Sequence, residues 1–229
     1  MSIKKELLAS IKKQREQSKS KTKFQGNFLD YLEHVQQNPD IVMASHKRLY
    51  KALVDHGMEK MSDSDPRKRK IFDGNNVRVY DYFKDEFFGM ERVIEKVMRF
   101  LKSASHKGEE SRQVLLLMGP VGAGKSALTE HIKRSLNDMT YYHLKGDPQR
   151  GEPLQLIPRS LRKDFSEKLG VPIEGDISPV ARHILLEDYN GEYEDFPVVE
   201  TTFSQRGRRG IASVPPMDAN SQDASVLIG

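Results

Sequence analysis

One segment of the chain has the residue types and the spacing of a phosphate-binding loop. Residues 119–126 read Gly-Pro-Val-Gly-Ala-Gly-Lys-Ser and match the pattern G-x-x-x-x-G-K-[ST] completely. Triphosphate oxygens need several backbone N–H groups that converge on one point, and side chains on the loop would obstruct their approach. Gly119, Gly122 and Gly124 remove this obstruction and tolerate a positive φ. The pattern therefore predicts a site for a nucleoside triphosphate, ATP with Mg²⁺.

Each residue type in this loop has a chemical reason. A helix that begins at Lys125 supplies free N–H groups and the positive end of its dipole. The Lys125 ammonium adds a mobile charge for the β- and γ-phosphates, and the Ser126 hydroxyl is the predicted Mg²⁺ ligand. The residues predicted to contact the nucleotide are Gly119, Pro120, Val121, Gly122, Ala123, Gly124, Lys125, Ser126 and Ala127.

The segments on either side of the loop fit this assignment. Residues 114–118, Val-Leu-Leu-Leu-Met, form an apolar run without polar alternation, which is typical of a buried central strand in a parallel sheet. After the loop, Leu128, Ile132 and Leu136 follow at helical spacing. The sequence therefore predicts the order strand, loop and helix.

A hydrolytic enzyme of this kind also needs a carboxylate at the end of a second buried strand. Glu187 and Asp188 are weak catalytic candidates, because they follow the apolar residues 184–186. However, Ser178 as a cap, Pro179 at the first position and Gly191 after the end favour a surface helix there. Residues 196–200 are the other candidate strand, but Pro197 predicts a poor central strand.

The N-terminal part of the chain predicts helices and a linker. Asn27 caps a helix that Asn38 and Pro39 end, and a second helix is predicted over residues 40–56. Residues 59–70 have no apolar periodicity and contain a basic cluster, which favours a solvated linker over a nucleic-acid or targeting patch. Residues 77–82 predict a short strand. An amphipathic helix is predicted from Glu91, and the residues expected on its inner face are Val93, Ile94, Val97, Phe100 and Leu101.

Composition excludes several classes of protein. Cysteine is absent, which excludes disulfides, thiolate metal sites and a cysteine nucleophile, and no apolar run is long enough to span a membrane. Residues 1–25 carry eight Lys or Arg against two Glu, a net charge of +6, which leaves −2 of the total +4 for the rest. The excess charge thus lies in an arm rather than on a folded body, and a cytoplasmic protein is expected.

Other polar residues give weaker signals. No pair of the seven histidines has the spacing of a helical metal site, so each is interpreted as an ordinary polar or packing residue. The chain bends at Pro148, Pro153 and Pro158, and these bends could bring Asp147 or Arg150 to the phosphates. An irregular surface loop explains the same residues equally well.

Several segments, in order, resemble a known family. Residues 88–91, Phe-Gly-Met-Glu, with the helix that follows them, resemble the opening of an AAA+ ATPase module. The chain from about residue 24 onward is similar to the N-terminal AAA domain of PrkA-type serine protein kinases. The segments that carry this similarity are residues 26–33, 119–126, 147–158, 160–162, Glu174-Gly175, Ser178-Pro179 and 221–223. Ala127 departs from many such loops, which place a second hydroxyl residue there.

The resemblance implies an α/β fold, with a P-loop AAA-type nucleotide-binding core behind an α-helical N-terminal segment. The core is expected to be an incomplete parallel sheet with flanking helices, because the chain stops while the family's module is still in progress. The expected domains are a basic arm over residues 1–25, a helical segment and linker over residues 26–70, and a truncated P-loop domain over residues 71–229.

The implied function is an ATP- and Mg²⁺-binding module of a PrkA-like serine protein kinase, coupled to phosphorylation or conformational work beyond this chain. The alternatives are an AAA+ ATPase that remodels or feeds proteins for proteolysis, and a nucleic-acid-stimulated ATPase that uses the basic arm. This chain alone is expected to bind ATP and barely hydrolyse it. Its expected partners are an unidentified protein substrate and further copies of the module. No association with a membrane is expected.

Overall fold

The computed structural model describes residues 24–72, 75–137 and 139–214. Residues 1–23, which hold nearly all of the predicted basic arm, and residues 221–223 lie outside the described residues.

The described chain alternates short strands with helices of one to four turns. The five strands are β1 (Gln25–Asn27), β2 (Met58–Lys60), β3 (Arg78–Tyr80), β4 (Thr140–Leu144) and β5 (Pro197–Thr202). The seven α-helices in the described residues are α1 (Phe28–Gln37), α2 (Ser45–Val54), α3 (Pro66–Lys70), α4 (Glu91–Ser105), α5 (Lys125–Arg134), α6 (Arg162–Leu169) and α7 (Pro179–Glu187).

These elements form two compact units. We call the first the sheet unit; its described residues are 24–42 and 140–202. We call the second the loop unit; its described residues are 43–72, 75–137, 139 and 203–214. The domain boundaries predicted from the sequence, after residues 25 and 70, stay a prediction.

The sheet unit contains a three-stranded antiparallel sheet in the order β1-β5-β4. Gln25 pairs with Val199 on one side of β5, and Leu144 pairs with Val198 on the other. The prediction that residues 196–200 make a poor central strand is wrong, because β5 is the middle strand. Pro197 is tolerated since it is the first residue of β5, where a missing N–H costs the ladder least.

Two helices of the sheet unit begin as the sequence predicts. The Asn27 side chain accepts a hydrogen bond from Asp30 N, and the Asp30 side chain accepts one from Asn27 N, so a complete capping box starts α1. In α7, Ser178 Oγ accepts from Ala181 N and Pro179 occupies the first turn. The helix predicted at residues 179–190 is confirmed over its first nine residues, and the strand alternative is excluded.

The core of the sheet unit lies between the sheet, α1, α7 and the irregular segment around residues 153–157. Its buried side chains are Phe28, Tyr31, Val35, Tyr142, Leu144, Leu154, Leu156, Ile157, Val171, Ala181, Phe196 and Val198. Such a core stabilises the unit through removal of apolar surface from water, at about 25 cal/mol per Å².

The loop unit is mainly helical. Helix α4 packs against α2, and its buried face carries Ile94, Val97, Met98, Leu101 and Ala104. The sequence also predicted Val93 on the inner face of this helix, but Val93 is 45% exposed. Helix α2 is shorter than the predicted residues 40–56, because a separate turn of 3₁₀-helix, Pro39–Ile41, precedes it.

The segment interpreted as a linker, residues 59–70, is ordered structure in the loop unit. Strand β2 pairs with β3 in antiparallel register, Met58 opposite Tyr80. Asp65 caps α3 through Arg67 N, and Lys68 is buried against Asp63 and Asn76. The basic cluster thus forms a short helix whose charges are partly neutralised by the acidic residues before it. The sequence did not predict this helix, because ion pairing leaves no apolar periodicity.

Residues 114–118 differ most from their prediction. They form no strand in the structure, and Val114, Leu116 and Met118 are 91%, 73% and 84% exposed. The two sheets that the described residues form are antiparallel, so the predicted parallel sheet does not appear there. A strand requires hydrogen bonds to a neighbour, and the described residues supply none at this segment.

Candidate nucleotide-binding site

The backbone of the loop at residues 119–124 has the conformation that its glycines permit. Gly122 and Gly124 have φ values of 83° and 77°, in the left-handed region. A Cβ added at Gly122 would meet no atom within 4 Å, so backbone conformation and not space requires glycine there. At Gly124 a Cβ would lie 3.4 Å from Met90 Sδ, so both conformation and packing oppose a side chain.

Lys125 is the first residue of α5, immediately after the left-handed Gly124. Its Nζ donates hydrogen bonds to Gly119 O at 2.8 Å and to Pro120 O at 2.6 Å. The ammonium group is therefore held over the loop, at the N-terminal end of a ten-residue helix. Free N–H groups, the helix dipole and a positive side chain converge at this end, which is the chemistry of an anion site.

Ser126 and Ala127 complete the predicted contacts. Both are exposed in the first turn of α5, so the Ser126 hydroxyl is accessible to an ion in solution. Ser126 is the residue of this loop that would hold Mg²⁺, and the remaining ligands of such an ion would be phosphate oxygens and water. Among the described residues, no cluster of three or more His, Asp or Glu could hold a metal ion.

Helix α5 is anchored behind the loop by Leu128, the fourth residue of the helix. Leu128 is 1% exposed and belongs to the loop-unit core with Val97, Met98 and Leu101. Leu128 is also four residues after Gly124, whose carbonyl accepts the Leu128 N–H at 2.8 Å. The core thus fixes the position of the helix end that faces the loop.

Two polar residues that the sequence did not reveal also hold this helix. Tyr82 Oη donates to His131 O at 2.8 Å, and His131 Nε2 lies 2.8 Å from Tyr82 O. Burial raises the pKa of the Tyr82 phenol, with the nearby Arg134 opposing, so the phenol remains a neutral donor. His131 Nδ1 lies 2.9 Å from Glu86 Oε2 and forms an ion pair when the ring is protonated.

No simple signal in the sequence links these residues, because Tyr82 and His131 are 49 positions apart. His131 is a packing residue, as the sequence predicts for the histidines in general, but one with both ring nitrogens close to acceptors.

The weak catalytic candidates belong to the other compact unit. Glu187 is the last residue of α7 and Asp188 is its C-cap; both are exposed. They lie at the end of a helix. The reason for proposing them was a carboxylate at the end of a buried strand, and the structure has no strand there. Their role as catalytic residues remains a prediction.

Asp147 also belongs to the sheet unit, where its carboxylate is engaged. It is 4% exposed and accepts hydrogen bonds from Ser178 Oγ at 2.7 Å, Gly151 N at 2.7 Å and Gln149 N at 3.1 Å. Arg150 donates to Tyr141 Oη at 2.9 Å. These contacts stabilise the turn after β4 and explain the residue types without a phosphate.

Comparison with known proteins agrees with the loop geometry. The chain matches the PrkA AAA domain family over residues 26–229. The chain belongs to the PrkA AAA domain family. An AAA domain implies a P-loop α/β fold and nucleotide binding.

Two relatives illustrate the range of this PrkA family. The chain is 36% identical to the ATP-dependent protease PrkA of Bacillus subtilis (strain 168), over 98% of this chain and 34% of that protein. It is 33% identical to the serine/threonine kinase YeaG of Escherichia coli (strain K12), over 72% of this chain and 27% of that protein. The chain therefore matches between about a quarter and a third of the length of these relatives.

A shorter similarity extends beyond the PrkA family. A mitochondrial Lon protease homolog of Yarrowia lipolytica is 33% identical over 29% of this chain and 6% of its own length. No solved structure matches the chain. Helices long and apolar enough to cross a bilayer are absent from the described residues.

Proposed function

We propose that this chain is an ATP- and Mg²⁺-binding AAA module whose nucleotide state drives work in a longer protein. The observation that carries the proposal is the pair of left-handed glycines, Gly122 and Gly124, placed directly before Lys125 at the start of α5. Residues 119–127 contact the phosphates, Lys125 compensates their charge, and Ser126 holds Mg²⁺. Bound Mg²⁺ would neutralise charge on the β- and γ-phosphate oxygens.

The chain alone binds ATP with turnover close to the background rate. In support of this proposal, the side chains of Lys125 and Ser126 can stabilise charge, but neither is a carboxylate that could polarise an attacking water. Copies of the module form a homo-oligomer, because a trans arginine is a common source of the missing catalytic charge in P-loop proteins. The protein works in the cytoplasm, where ATP is available.

Residues 114–118 become a strand of a parallel sheet in the longer protein. Most of their apolar side chains are exposed in this chain, and at least about two thirds of each relative's sequence lies outside the part that the chain matches. Slow hydrogen exchange at residues 114–118 in the full-length protein, against fast exchange in this chain, would support the parallel sheet. Fast exchange in both proteins would contradict it.

Two outputs of nucleotide binding deserve a direct comparison. Transfer of phosphate to protein serine is our first proposal, supported by the relative that carries a kinase name. ATP-driven proteolysis or remodelling is the second, supported by the relatives named as proteases. A nucleic-acid-stimulated activity would require the basic arm, and the described residues give it no further support.

One experiment on the full-length protein separates the outputs. The protein is incubated with γ-labelled ATP and casein, and both label on serine and loss of intact casein are measured. We expect label transfer that disappears in Lys125→Ala and persists in the matched variant Lys102→Ala, an exposed lysine of α4. ATP-dependent casein loss without label would favour the protease; either activity undiminished in Lys125→Ala would contradict the role of the loop.

A further inference from the structure

A cavity of about 390 Å³ lies in the loop unit beside β2, β3 and the start of α4. Four of its lining residues are aromatic, and three of these are buried: Tyr80, Phe83 and Phe87. The fourth, Phe88, is 75% exposed. The face of an aromatic ring attracts a cation. The cavity shares no lining residue with the candidate nucleotide site at residues 119–127, so it is a separate feature of the loop unit.

One arginine that lines this cavity is shared by two carboxylates. Arg67 Nε donates to Asp65 Oδ1 at 3.1 Å, and Arg67 Nη2 donates to Asp65 Oδ2 at 2.7 Å. Arg67 Nη1 donates to Glu91 Oε1 at 2.8 Å. The hydrogen bonds from Arg67 lower the pKa of the Asp65 carboxyl, so this group is ionised at neutral pH. All three residues line the cavity, and one positive charge there faces two negative charges.

The second oxygen of Glu91 has no hydrogen-bond donor in the part of the chain that the structure describes. Glu91 is the first residue of α4 and is 5% exposed. Its Oε1 accepts from Arg67, whereas its Oε2 is buried and accepts from no described residue. A buried carboxylate oxygen without a donor is unfavourable, because the hydrogen bonds that it made to water are not replaced. The carboxylate of Glu91 is therefore matched to a donor that the described residues do not supply.

The other charged side chains of the lining balance one another. These residues are all exposed: Glu59, Lys60, Arg78, Lys84 and Asp85. Lys84 Nζ also donates to Asp81 Oδ1 at 3.1 Å, so three cations at the exposed side of the cavity are matched by three carboxylates. The uncompensated negative charge is therefore the one at Asp65 and Glu91, next to the aromatic residues.

We propose that this cavity binds an organic cation, an ammonium or guanidinium group that donates to Glu91 and lies against the aromatic rings. Such a group supplies the donor that Glu91 Oε2 lacks, and its charge balances the second carboxylate. The rings of Phe87 and Phe88 add attraction for the same charge. The proposal does not depend on nucleotide binding at residues 119–127.

The test compares a cation with a neutral molecule of the same shape. The chain is titrated with n-butylguanidinium and with n-butylurea, and binding is measured from the NMR shifts of the backbone amides of residues 59–94. We expect saturable shifts with n-butylguanidinium and an affinity for n-butylurea that is lower by about tenfold or more, because the urea cannot form a charge-assisted hydrogen bond with a positive donor.

Three variants connect this binding to the cavity. Glu91→Gln should lower the affinity for n-butylguanidinium about tenfold or more. The matched variant Glu95→Gln, one turn later on α4 and outside the lining, should keep the affinity. Phe88→Ala removes an exposed ring at little risk to the fold and should lower the affinity about twofold to fivefold.

A second titration distinguishes the two sources of such a group. Tighter binding of a capped Gly-Arg-Gly peptide than of n-butylguanidinium would support the proposal with a protein side chain as the ligand. Tighter binding of n-butylguanidinium would support it with a free small molecule as the ligand.

Three results would overturn the proposal. The first is the absence of saturable shifts at residues 59–94 with both n-butylguanidinium and the peptide. The second is equal affinity for n-butylguanidinium and n-butylurea. The third is an affinity for n-butylguanidinium that is unchanged in both Glu91→Gln and Phe88→Ala. A circular dichroism spectrum equal to that of the unmodified chain checks that each variant folds.

Discussion

Strand β5 contains two valines among polar residues, whereas residues 114–118 are apolar throughout, yet it is β5 that forms a buried strand. In β5, Val198 is fully buried, and the strand has a hydrogen-bonded neighbour on each side. At residues 114–118, Leu116 is 73% exposed and no described residue pairs with the backbone. The difference shows that an apolar run specifies a strand only where the chain also supplies the partners that satisfy its N–H and C=O groups.

The largest expected effect tests this contrast with one kind of substitution at two leucines. Leu144→Ala in β4 removes a fully buried side chain and should lower the free energy of unfolding by about 2–5 kcal/mol. Leu116→Ala, at an exposed position, should change it by less than about 0.5 kcal/mol. Urea denaturation of both variants decides the matter; similar losses would mean that residues 114–118 are buried in solution.

The comparison also separates what the sequence could predict from what it could not. The start of α1 at Asn27, the start of α7 at Ser178 and the start of α5 at Lys125 were predictable, because caps, prolines and glycine loops act within a few residues. The phosphate loop was predictable for the same reason, since its chemistry is contained in eight consecutive residues.

Pairing between distant segments was not predictable. Strand β4 joins β5 across more than fifty residues, and nothing local in Thr140–Leu144 identifies that partner. The strand order of the sheet also contradicts the expectation that Pro197 makes a poor central strand. Pro197 is the first residue of β5, and the position of a proline within a strand matters more than its presence. The contacts of Tyr82 with His131 behind the loop are non-local in the same way.

A smaller effect should reveal His143, a partly buried histidine of β4 in the sheet unit, by its response to acid. Burial lowers the pKa of His143, with Arg150 acting in the same direction and the Leu144 carbonyl opposing. The unfolded chain therefore takes up the proton first, at its ordinary pKa of about 6.5, and the fold loses stability as pH falls below that value. The loss is complete once pH is below the lowered folded pKa.

Thermal melts between pH 8 and pH 5 measure this effect. His143→Gln should flatten the decrease in Tm below about pH 6.5. The matched variant His183→Gln, at an exposed histidine on α7 in the same unit, should keep the decrease. A slope that His143→Gln leaves unchanged would show that this histidine is not the group that titrates.

The most direct test of the account is ATP binding by the chain itself, measured by isothermal titration calorimetry with Mg²⁺ present. We expect binding by the unmodified chain and by the exposed-lysine control Lys102→Ala. We expect a loss of at least about tenfold to a hundredfold in Lys125→Ala, since a charge-assisted hydrogen bond contributes about 1.5–3 kcal/mol. Equal affinity for ATP in the unmodified chain and in Lys125→Ala would contradict the assignment of residues 119–126 as the nucleotide site.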